Sequence, residues 1–194
     1  VGLICVMKPH WGVVLLWAWL RRQWGMALAG TLTVAVLFGI SVSVYGLGHH
    51  LDYLSVLSAL SRHGEVYYAN QSVNGLMHRL LFNGDNLHFM SSYLPPYHPV
   101  VYACTVISSL LLIGSALLWK CRSRSAVGIV ELAIVVLSTT MASPIAWEHH
   151  YAILLPIFAV VLPAALAQRA LGRWTVPYLV AAFFMASQRL GFVY

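Results

Sequence analysis

Long apolar runs cover most of the chain and are separated by short polar segments. A membrane-spanning α-helix needs about 20 predominantly apolar residues to cross a hydrocarbon layer of roughly 30 Å. The pattern predicts membrane-spanning helices at residues 25–48, 100–119, 127–142, 151–167 and 176–187. The predicted fold class is therefore all-α, a polytopic bundle of transmembrane helices.

The first apolar run, residues 1–20, is interrupted near its middle by Lys8, Pro9 and His10. Proline removes a backbone donor and clashes with the preceding turn, so the pattern predicts either one kinked span or a pair of broken helices that meet at Lys8. A lysine in an apolar segment either extends its amine to the membrane surface or is a buried cation that binds an anion. The adjacent proline favours the second interpretation, because a broken helix exposes backbone groups near the charge.

Residues 49–99 form the longest polar stretch and contain three of the chain's five acidic residues. Within this predicted loop, apolar side chains recur with helical spacing and place Asn74 and His78 on the opposite face. The apolar positions are Val73, Leu76, Met77, Leu80 and Leu81. Such a helix can lie in the plane of a membrane surface. The preceding Asn70-Gln71-Ser72 is typical of a helix N-cap, and Arg79 is interpreted first as a solvated residue.

A polar and ionisable segment, residues 143–151, lies between two apolar runs. Ionisable groups at membrane depth are costly, which makes a functional role the default hypothesis. His149 and His150 are expected to hydrogen-bond, or exchange a proton with, a phosphate or a sugar hydroxyl. A metal site is disfavoured because neighbouring residues on a helix point about 100° apart and no third ligand stands at a useful spacing.

Three side chains beside these histidines carry open alternatives. Glu148 is either a general base or an exposed loop carboxylate. Trp147 and Tyr151 either stack on a sugar ring or belong to the aromatic belt at a membrane surface. The whole segment, residues 143–151, is predicted to be an active-site loop.

Composition and charge indicate a membrane protein and suggest its orientation. Hydrophobic residues make up 60% of the chain and charged residues 8%, against about 25% charged in a soluble domain. The net charge of +6 does not indicate a nucleic-acid partner, because Lys and Arg mostly stand at the ends of apolar runs. Residues assigned to the cytoplasmic side are Arg21, Arg22, Lys120, Arg122, Arg124, Arg169 and Arg173. Residues 49–99 and 143–151 stand at the opposite ends of the predicted spans, so both are predicted to face the extracytoplasmic side.

Two further features concern the organisation of the chain. Glu131, an acid within a predicted span, lies near enough to the inner end of that span to reach water or Arg124, and is interpreted as structural. The chain starts at Val1 with no initiator Met and no signal peptide. We therefore expect residues 1–194 to be a single membrane domain and the C-terminal part of a longer protein.

Three separated motifs, taken in order, resemble glycosyltransferase family 87. They are Lys8-Pro9 with Arg21-Arg22-Gln23-Trp24, then Asn70-Gln71-Ser72-Val73-Asn74-Gly75 with Arg79, then Ser143-Pro144-Ile145-Ala146-Trp147 with His149-His150. The family includes actinobacterial polyprenyl-phosphate-mannose-dependent α-1,2-mannosyltransferases and related arabinofuranosyltransferases. The resemblance covers nearly the whole chain. It implies a GT-C fold, with the active site on the outer face of the membrane beneath loops and short interfacial helices.

The resemblance implies inverting transfer of a sugar, mannose in the first instance, without a cofactor. The donor would be a polyprenyl-phosphate sugar, the acceptor a lipid-anchored glycan, and the location a bacterial plasma membrane. The predicted catalytic residues are His149, His150 and Glu148, and the predicted substrate-binding residues are Lys8, Asn70, Arg79, Trp147 and Tyr151, with no metal. The family's general base is expected to be an Asp in an outer loop upstream of Val1.

Two other functional classes remain open. A transporter or flippase for a lipid-linked substrate would use the broken helix at Lys8, although such transporters carry paired interruptions in two repeats and the sequence shows no convincing repeat. A non-catalytic membrane subunit would bind a lipid-linked sugar and depend on another chain for the general base.

Overall fold

A computed structural model describes residues 1–89, 93–119, 127–167 and 174–187, and these residues form nine α-helices. The helices are α1 (Gly2–Met7), α2 (Gly12–Leu20), α3 (Trp24–Tyr45), α4 (Leu47–His63), α5 (Val73–Leu80), α6 (Pro99–Leu118), α7 (Val127–Ala142), α8 (Leu154–Ala167) and α9 (Thr175–Ser187). Short 3-10 helices occur at Pro9–Trp11 and Glu148–Ile153. The described residues contain no β-strand beyond one isolated bridge, so the prediction of an all-α protein is confirmed.

The chain divides into two compact units. The first unit, Val1–Glu148, contains α1 to α7 and the polar segments between them. The second unit, His149–Tyr194, contains α8 and α9, which pack together with the ring of Phe158 edge-on to that of Phe183 at a centroid distance of 5.2 Å. Each unit is described on its own below.

The first apolar run is a pair of broken helices, as one of the two sequence alternatives predicted. Lys8 has extended backbone angles, φ −137° and ψ 92°, between α1 and the 3-10 helix that leads into α2. Pro9 opens that 3-10 helix, where its missing N–H removes no helical hydrogen bond. α1 and α2 both pack against α3, and α2 also packs against α7.

Two described helices have the length and composition to cross a membrane. α3 has 22 residues and α6 has 20, and each reaches a mean hydropathy of 2.1. The buried residues of α3 are Ala27 and Gly30, and small residues at such positions let helices approach closely in lipid. α7 is shorter but equally apolar in character and packs along α6. The remaining surface of these helices is rich in exposed large apolar side chains, as expected for a membrane bundle.

A buried ion pair ties three helices together at the end of the bundle that lies away from the polar loop. The Arg21 Nε atom, just after α2, lies 2.6 Å from an Oε atom of Glu131 on α7, whose side chain is 2% exposed. Arg21 also donates a hydrogen bond to the Trp119 carbonyl after α6. This ion pair supports the structural interpretation of Glu131. Arg124, the partner that the sequence suggested, lies outside the described residues.

The polar loop is more helical than the sequence pattern predicted. Gly46, with φ +82°, ends α3 and starts α4, a helix of 17 residues. The sequence analysis extended the preceding span to residue 48 and expected only short helices beyond it. His50 connects α4 back to α3, because its Nε2 lies 3.0 Å from the Ser41 hydroxyl and its ring contacts Phe38 edge-on.

Helix α5 confirms the predicted separation of polar and apolar faces and shows which face is buried. Asn74 and His78 are both 0% exposed, whereas Leu76 and Leu80 are 48% and 60% exposed. A helix on a soluble protein buries its apolar face. The opposite arrangement here fits the expectation that α5 lies against lipid.

Several charges used to orient the chain cannot be placed. Lys120, Arg122, Arg124, Arg169 and Arg173 lie outside the described residues. The assignment of the loop to the extracytoplasmic side therefore stays a prediction.

The ion pair predicts that Arg21→Ala lowers the free energy of unfolding by about 3–5 kcal/mol, because a carboxylate buried among helices loses its guanidinium partner. Chemical unfolding of the purified protein in detergent, followed by far-UV circular dichroism, measures this change. Arg22→Gln is the matched control, since Arg22 is exposed and surface changes are usually within about 0.5 kcal/mol.

The double variant Arg21→Leu/Glu131→Leu should lose much less stability than Arg21→Ala, because it removes both buried charges together. Equal losses in Arg21→Ala and Arg22→Gln would show that the pair does not hold α2 to α7.

Candidate active site

The side chain of Asn70 joins the loop to the segment that follows α7. Its amide nitrogen donates to the carbonyls of Glu65 at 2.7 Å and Pro144 at 3.1 Å. Its amide oxygen accepts from the backbone N–H of Ser72 at 3.3 Å and of Ala146 at 2.9 Å. Asn70 is fully buried, so every hydrogen-bonding position of its amide is used within the protein.

Backbone hydrogen bonds reinforce this connection, which we call the junction (residues 64–79 with 143–148). Asn70 and Trp147 form an isolated antiparallel bridge. On either side of it, the N–H of Gln71 donates to the Ala146 carbonyl at 2.8 Å, and the N–H of Glu148 donates to the Ala69 carbonyl at 3.1 Å. Two segments that are far apart in sequence are thus fixed in register.

The predicted N-cap before α5 is present and serves two purposes. The Ser72 hydroxyl accepts a hydrogen bond from the Gly75 N–H at 3.2 Å, which caps the helix. The same hydroxyl donates to the Pro144 carbonyl at 2.9 Å. A Cβ atom at Gly75 would collide with the backbone carbonyl of Asn70, so only glycine lets the first turn of α5 approach the junction this closely.

The polar face of α5 is fixed by hydrogen bonds to its neighbours. Asn74 accepts from the Glu65 N–H at 3.1 Å and donates to the Thr105 hydroxyl of α6 at 3.1 Å. Gly64, with φ +62°, leaves room for the Asn74 amide where any other residue would place its Cβ atom. The polar face of α5 therefore docks the junction onto the membrane-spanning helix α6.

His78 is held as a neutral imidazole with a defined tautomer. Its Nε2 lies 2.7 Å from the His63 carbonyl, which can only accept, so Nε2 carries the proton. Its Nδ1 lies 3.0 Å from the Asn83 amide nitrogen, whose orientation is fixed by donation to the Pro96 carbonyl at 2.8 Å. Nδ1 is therefore an acceptor, and burial lowers the pKa of His78 below its ordinary value.

Arg79 is not the solvated residue that its position on α5 first suggested. It is half-buried, and its Nη1 donates to the Asn70 carbonyl at 2.9 Å. Arginine keeps its charge in proteins, although burial lowers the pKa of Arg79. The helix thus brings a fixed positive charge to the junction.

Glu65 and Trp147 form a second contact across the junction. The indole Nε1 donates to a carboxylate oxygen of Glu65 at 2.5 Å, and the Trp147 ring lies edge-on to Phe89 at a centroid distance of 5.2 Å. Burial raises the pKa of Glu65, while the hydrogen bond from Trp147 acts in the opposite sense. Glu65 also lines a small cavity within the loop.

The structure brings four of the predicted site residues together. Asn70, Arg79, Trp147 and Glu148 meet at the junction. Lys8 is exposed at the helix break between α1 and α2. His149, His150 and Tyr151 belong to the second unit, where the two imidazole rings lie 4.3 Å apart by centroid. The substrate roles of all eight residues stay predictions.

The sequence pattern does not single out the polar groups that build the junction around these residues. In the sequence, Glu65 is one of the loop's three acids, and Asn74 and His78 form the face opposite the apolar positions of α5. Glu65 could have been identified from the sequence, because the chain has only five acids and Glu65 stands five positions before the Asn70 motif.

Comparison with known proteins gives one match. The model of glycosyltransferase family 87 matches residues 1–144 of the chain. No curated protein and no solved structure matches. The matched stretch contains Lys8, Asn70 and Arg79 and ends at Pro144, within the predicted active-site loop.

The neutral state of His78 predicts that acid destabilises the loop. A histidine whose pKa is lowered by folding contributes stability that is complete above about pH 6.5, the ordinary pKa, and is lost as the pH falls through the lowered value. Coulombic repulsion from the neighbouring His98 and His63 also lowers the pKa of His78, after the larger effect of burial. Amide hydrogen exchange across residues 73–83 should therefore accelerate between pH 7 and pH 5, after correction for intrinsic rates.

A His78→Gln variant, which cannot titrate, should show a much smaller change over the same range. His49→Gln, at an exposed position of α4, should behave as the unmodified protein does. An identical pH response in His78→Gln would assign the effect to another group.

Proposed function

The chain belongs to glycosyltransferase family 87, and from this membership we propose that it transfers a sugar from a polyprenyl-phosphate donor to a lipid-linked glycan acceptor. The family gives the broader statement, that the chain is a membrane glycosyltransferase. Mannose as the sugar, the lipid-linked substrates and the inverting outcome are our proposals. They rest on the three motifs around Lys8, Asn70 and residues 143–150.

The observation that carries the proposal is the junction itself, because a family-matched loop and the predicted active-site loop meet there. Two chain segments that are far apart in sequence are fixed by the Asn70 amide and the flanking backbone hydrogen bonds. Catalysis needs reacting groups held in a defined geometry, so an active site benefits from a rigid support. A buried, fully satisfied amide in a membrane protein is such a support.

The proposed chemistry uses cations and hydrogen-bond donors on a leaving phosphate. A bond forms between the acceptor hydroxyl oxygen and the anomeric carbon, while the bond from that carbon to the phosphate oxygen breaks. The phosphodiester leaves as a phosphate monoester with more negative charge, and preorganised positive groups stabilise such charge as it develops. We assign this task to Lys8 and Arg79.

His149 and His150 are proposed to face the transferring sugar and the leaving phosphate. An imidazole can donate or accept a proton near neutral pH. The proton of the acceptor hydroxyl passes to a carboxylate base, and Glu148 is the candidate for that role within residues 143–151. Trp147 and Tyr151 are proposed to contact the sugar or the prenyl chain.

We further propose that transfer occurs on the extracytoplasmic face of a bacterial plasma membrane. Seven Lys and Arg residues stand at the predicted inner turns, against Arg62 and Arg79 in the long loop and Arg189 near the end of the chain. Such residues are in excess on the cytoplasmic side of a membrane. A long prenyl chain requires a site that opens to lipid, and α5 presents exposed apolar side chains beside the junction.

The test is transfer of radiolabelled mannose from polyprenyl-phosphate mannose to lipid acceptors by membranes that contain the full-length protein. His149→Ala and His150→Ala should each lower turnover by about 10²-fold or more, as loss of a general acid–base group or an electrostatic donor does. His49→Ala is the matched control, since it removes an exposed histidine from the other His-His pair, on α4.

Equal turnover in His149→Ala, His150→Ala and the unmodified protein, at equal levels in the membrane, would refute the assigned site. Absence of transfer by the unmodified protein with both mannose and arabinose donors would refute the proposed function.

A further inference from the structure

A small cleft in the polar loop is lined in part by residues of the junction. Its volume is about 50 Å³, which is room for a few groups the size of a water molecule. Glu65 and Tyr67 line one side, and Asp85, His88 and Tyr93 line another. Buried Val66 and Pro95 complete the lining with apolar surface.

The two sides of the cleft are held in place by hydrogen bonds. The Tyr68 N–H donates to the Asn86 carbonyl at 2.9 Å, which connects the segment of Glu65 to the segment of Asp85. Asp85 accepts from the Leu87 N–H and lies 2.8 Å from the His88 imidazole. These bonds hold the pKa of Asp85 below its ordinary value, so the carboxylate forms a fixed negative rim.

Aromatic rings adjoin the same cleft. Tyr67 lies 4.5 Å from Tyr68 and 5.6 Å from Phe89 by ring centroid, and Phe89 contacts Trp147. Ligand sites typically combine aromatic and apolar walls with a few fixed polar groups. Trp147 engages one carboxylate oxygen of Glu65, which sets the orientation of the carboxylate that lines the cleft.

The chemistry of the lining selects among possible ligands. Within the described part of the chain, no three His, Cys, Asp or Glu side chains converge closely enough to hold a metal ion. Two carboxylates repel a phosphate, because like charges close together are unfavourable. A neutral group with several hydroxyls needs no metal ion and carries no negative charge. Its hydroxyls donate to carboxylates, and its carbon surface packs on aromatic rings.

We propose that the cleft binds the hydroxyl edge of one neutral sugar unit of the glycan acceptor, with the Glu65 carboxylate accepting a hydrogen bond from a sugar hydroxyl. The carboxylates and tyrosines of the lining favour hydroxyl groups over a prenyl chain. The assignment to the acceptor follows from charge, because the sugar of the donor carries a phosphate. This inference rests on the proposed function and adds a binding residue that the three motifs do not contain.

Saturation-transfer NMR on the full-length protein in lipid nanodiscs tests the inference without requiring turnover. The probes are methyl α-mannopyranoside, which is neutral, and mannose 1-phosphate, which carries the donor's charge. Glu65→Gln should weaken binding of the neutral glycoside by about fivefold, because a hydrogen bond to a charged acceptor becomes one to a neutral amide. Binding of mannose 1-phosphate should be unchanged.

Asp52→Asn is the matched control for charge. Asp52 is another acid of the loop, exposed on α4 and outside the cleft, so its variant should bind the neutral glycoside as the unmodified protein does. Glu65→Gln keeps the shape of the side chain and an oxygen that can accept from Trp147. Its far-UV circular dichroism should match that of the unmodified protein.

Three outcomes overturn the inference. The first is no signal from methyl α-mannopyranoside with the unmodified protein, and the second is unchanged binding of this glycoside in Glu65→Gln. The third is an equal loss of mannose 1-phosphate binding in Glu65→Gln, which would place the donor sugar in the cleft. If membranes show no transfer while Glu65-dependent binding persists, the proposed function fails and sugar binding by the cleft stands.

Discussion

The buried amide of Asn70 is the interaction on which the loop depends. A buried polar group is costly unless its hydrogen bonds are made, and this amide makes four of them to residues 65, 72, 144 and 146. Each partner lies on a different part of the junction. The backbone around Asn70 also carries the cap of α5, the bridge to Trp147 and the hydrogen bond from Arg79. A substitution of Asn70 would therefore disturb residues 64–79 and residues 143–148 together.

The second constraint is that α5 turns its polar face inward. In water such a helix would expose Asn74 and His78 and bury its leucines, because apolar burial dominates folding. Beside lipid, apolar side chains gain nothing from burial in protein, and polar groups must find partners inside it. Asn74 donates a hydrogen bond to the Thr105 hydroxyl on α6, and His78 forms hydrogen bonds with the His63 carbonyl and the Asn83 side-chain amide. The hydrogen bonds of α5, rather than its leucines, thus place it on α6.

Local patterns predicted much of the fold and little of the site. The two helices long and apolar enough to cross a membrane, α3 and α6, follow from hydropathy. The helix break at Lys8, the cap at Ser72 and the two faces of α5 follow from proline and helical spacing. The partners of Arg21 and Asn70 do not, because residues 110 and 76 positions apart meet only through tertiary packing. α4 was missed since its apolar and polar residues show no clear face, and none of its residues is buried. The role of Glu65 at the junction is visible only from its hydrogen bond with Trp147, which depends on tertiary packing.

The central claim is that the Asn70 side chain fastens residues 143–148 to the loop. Amide hydrogen exchange of the full-length protein in nanodiscs tests it, because the Ala146 N–H donates to the Asn70 amide oxygen. In Asn70→Ala, exchange across residues 143–148 should accelerate by about tenfold or more, as expected when a buried hydrogen bond is lost. Gln71→Ala, which changes an exposed neighbouring amide, should leave those rates unchanged. Equal protection of residues 143–148 in Asn70→Ala and the unmodified protein would contradict the account.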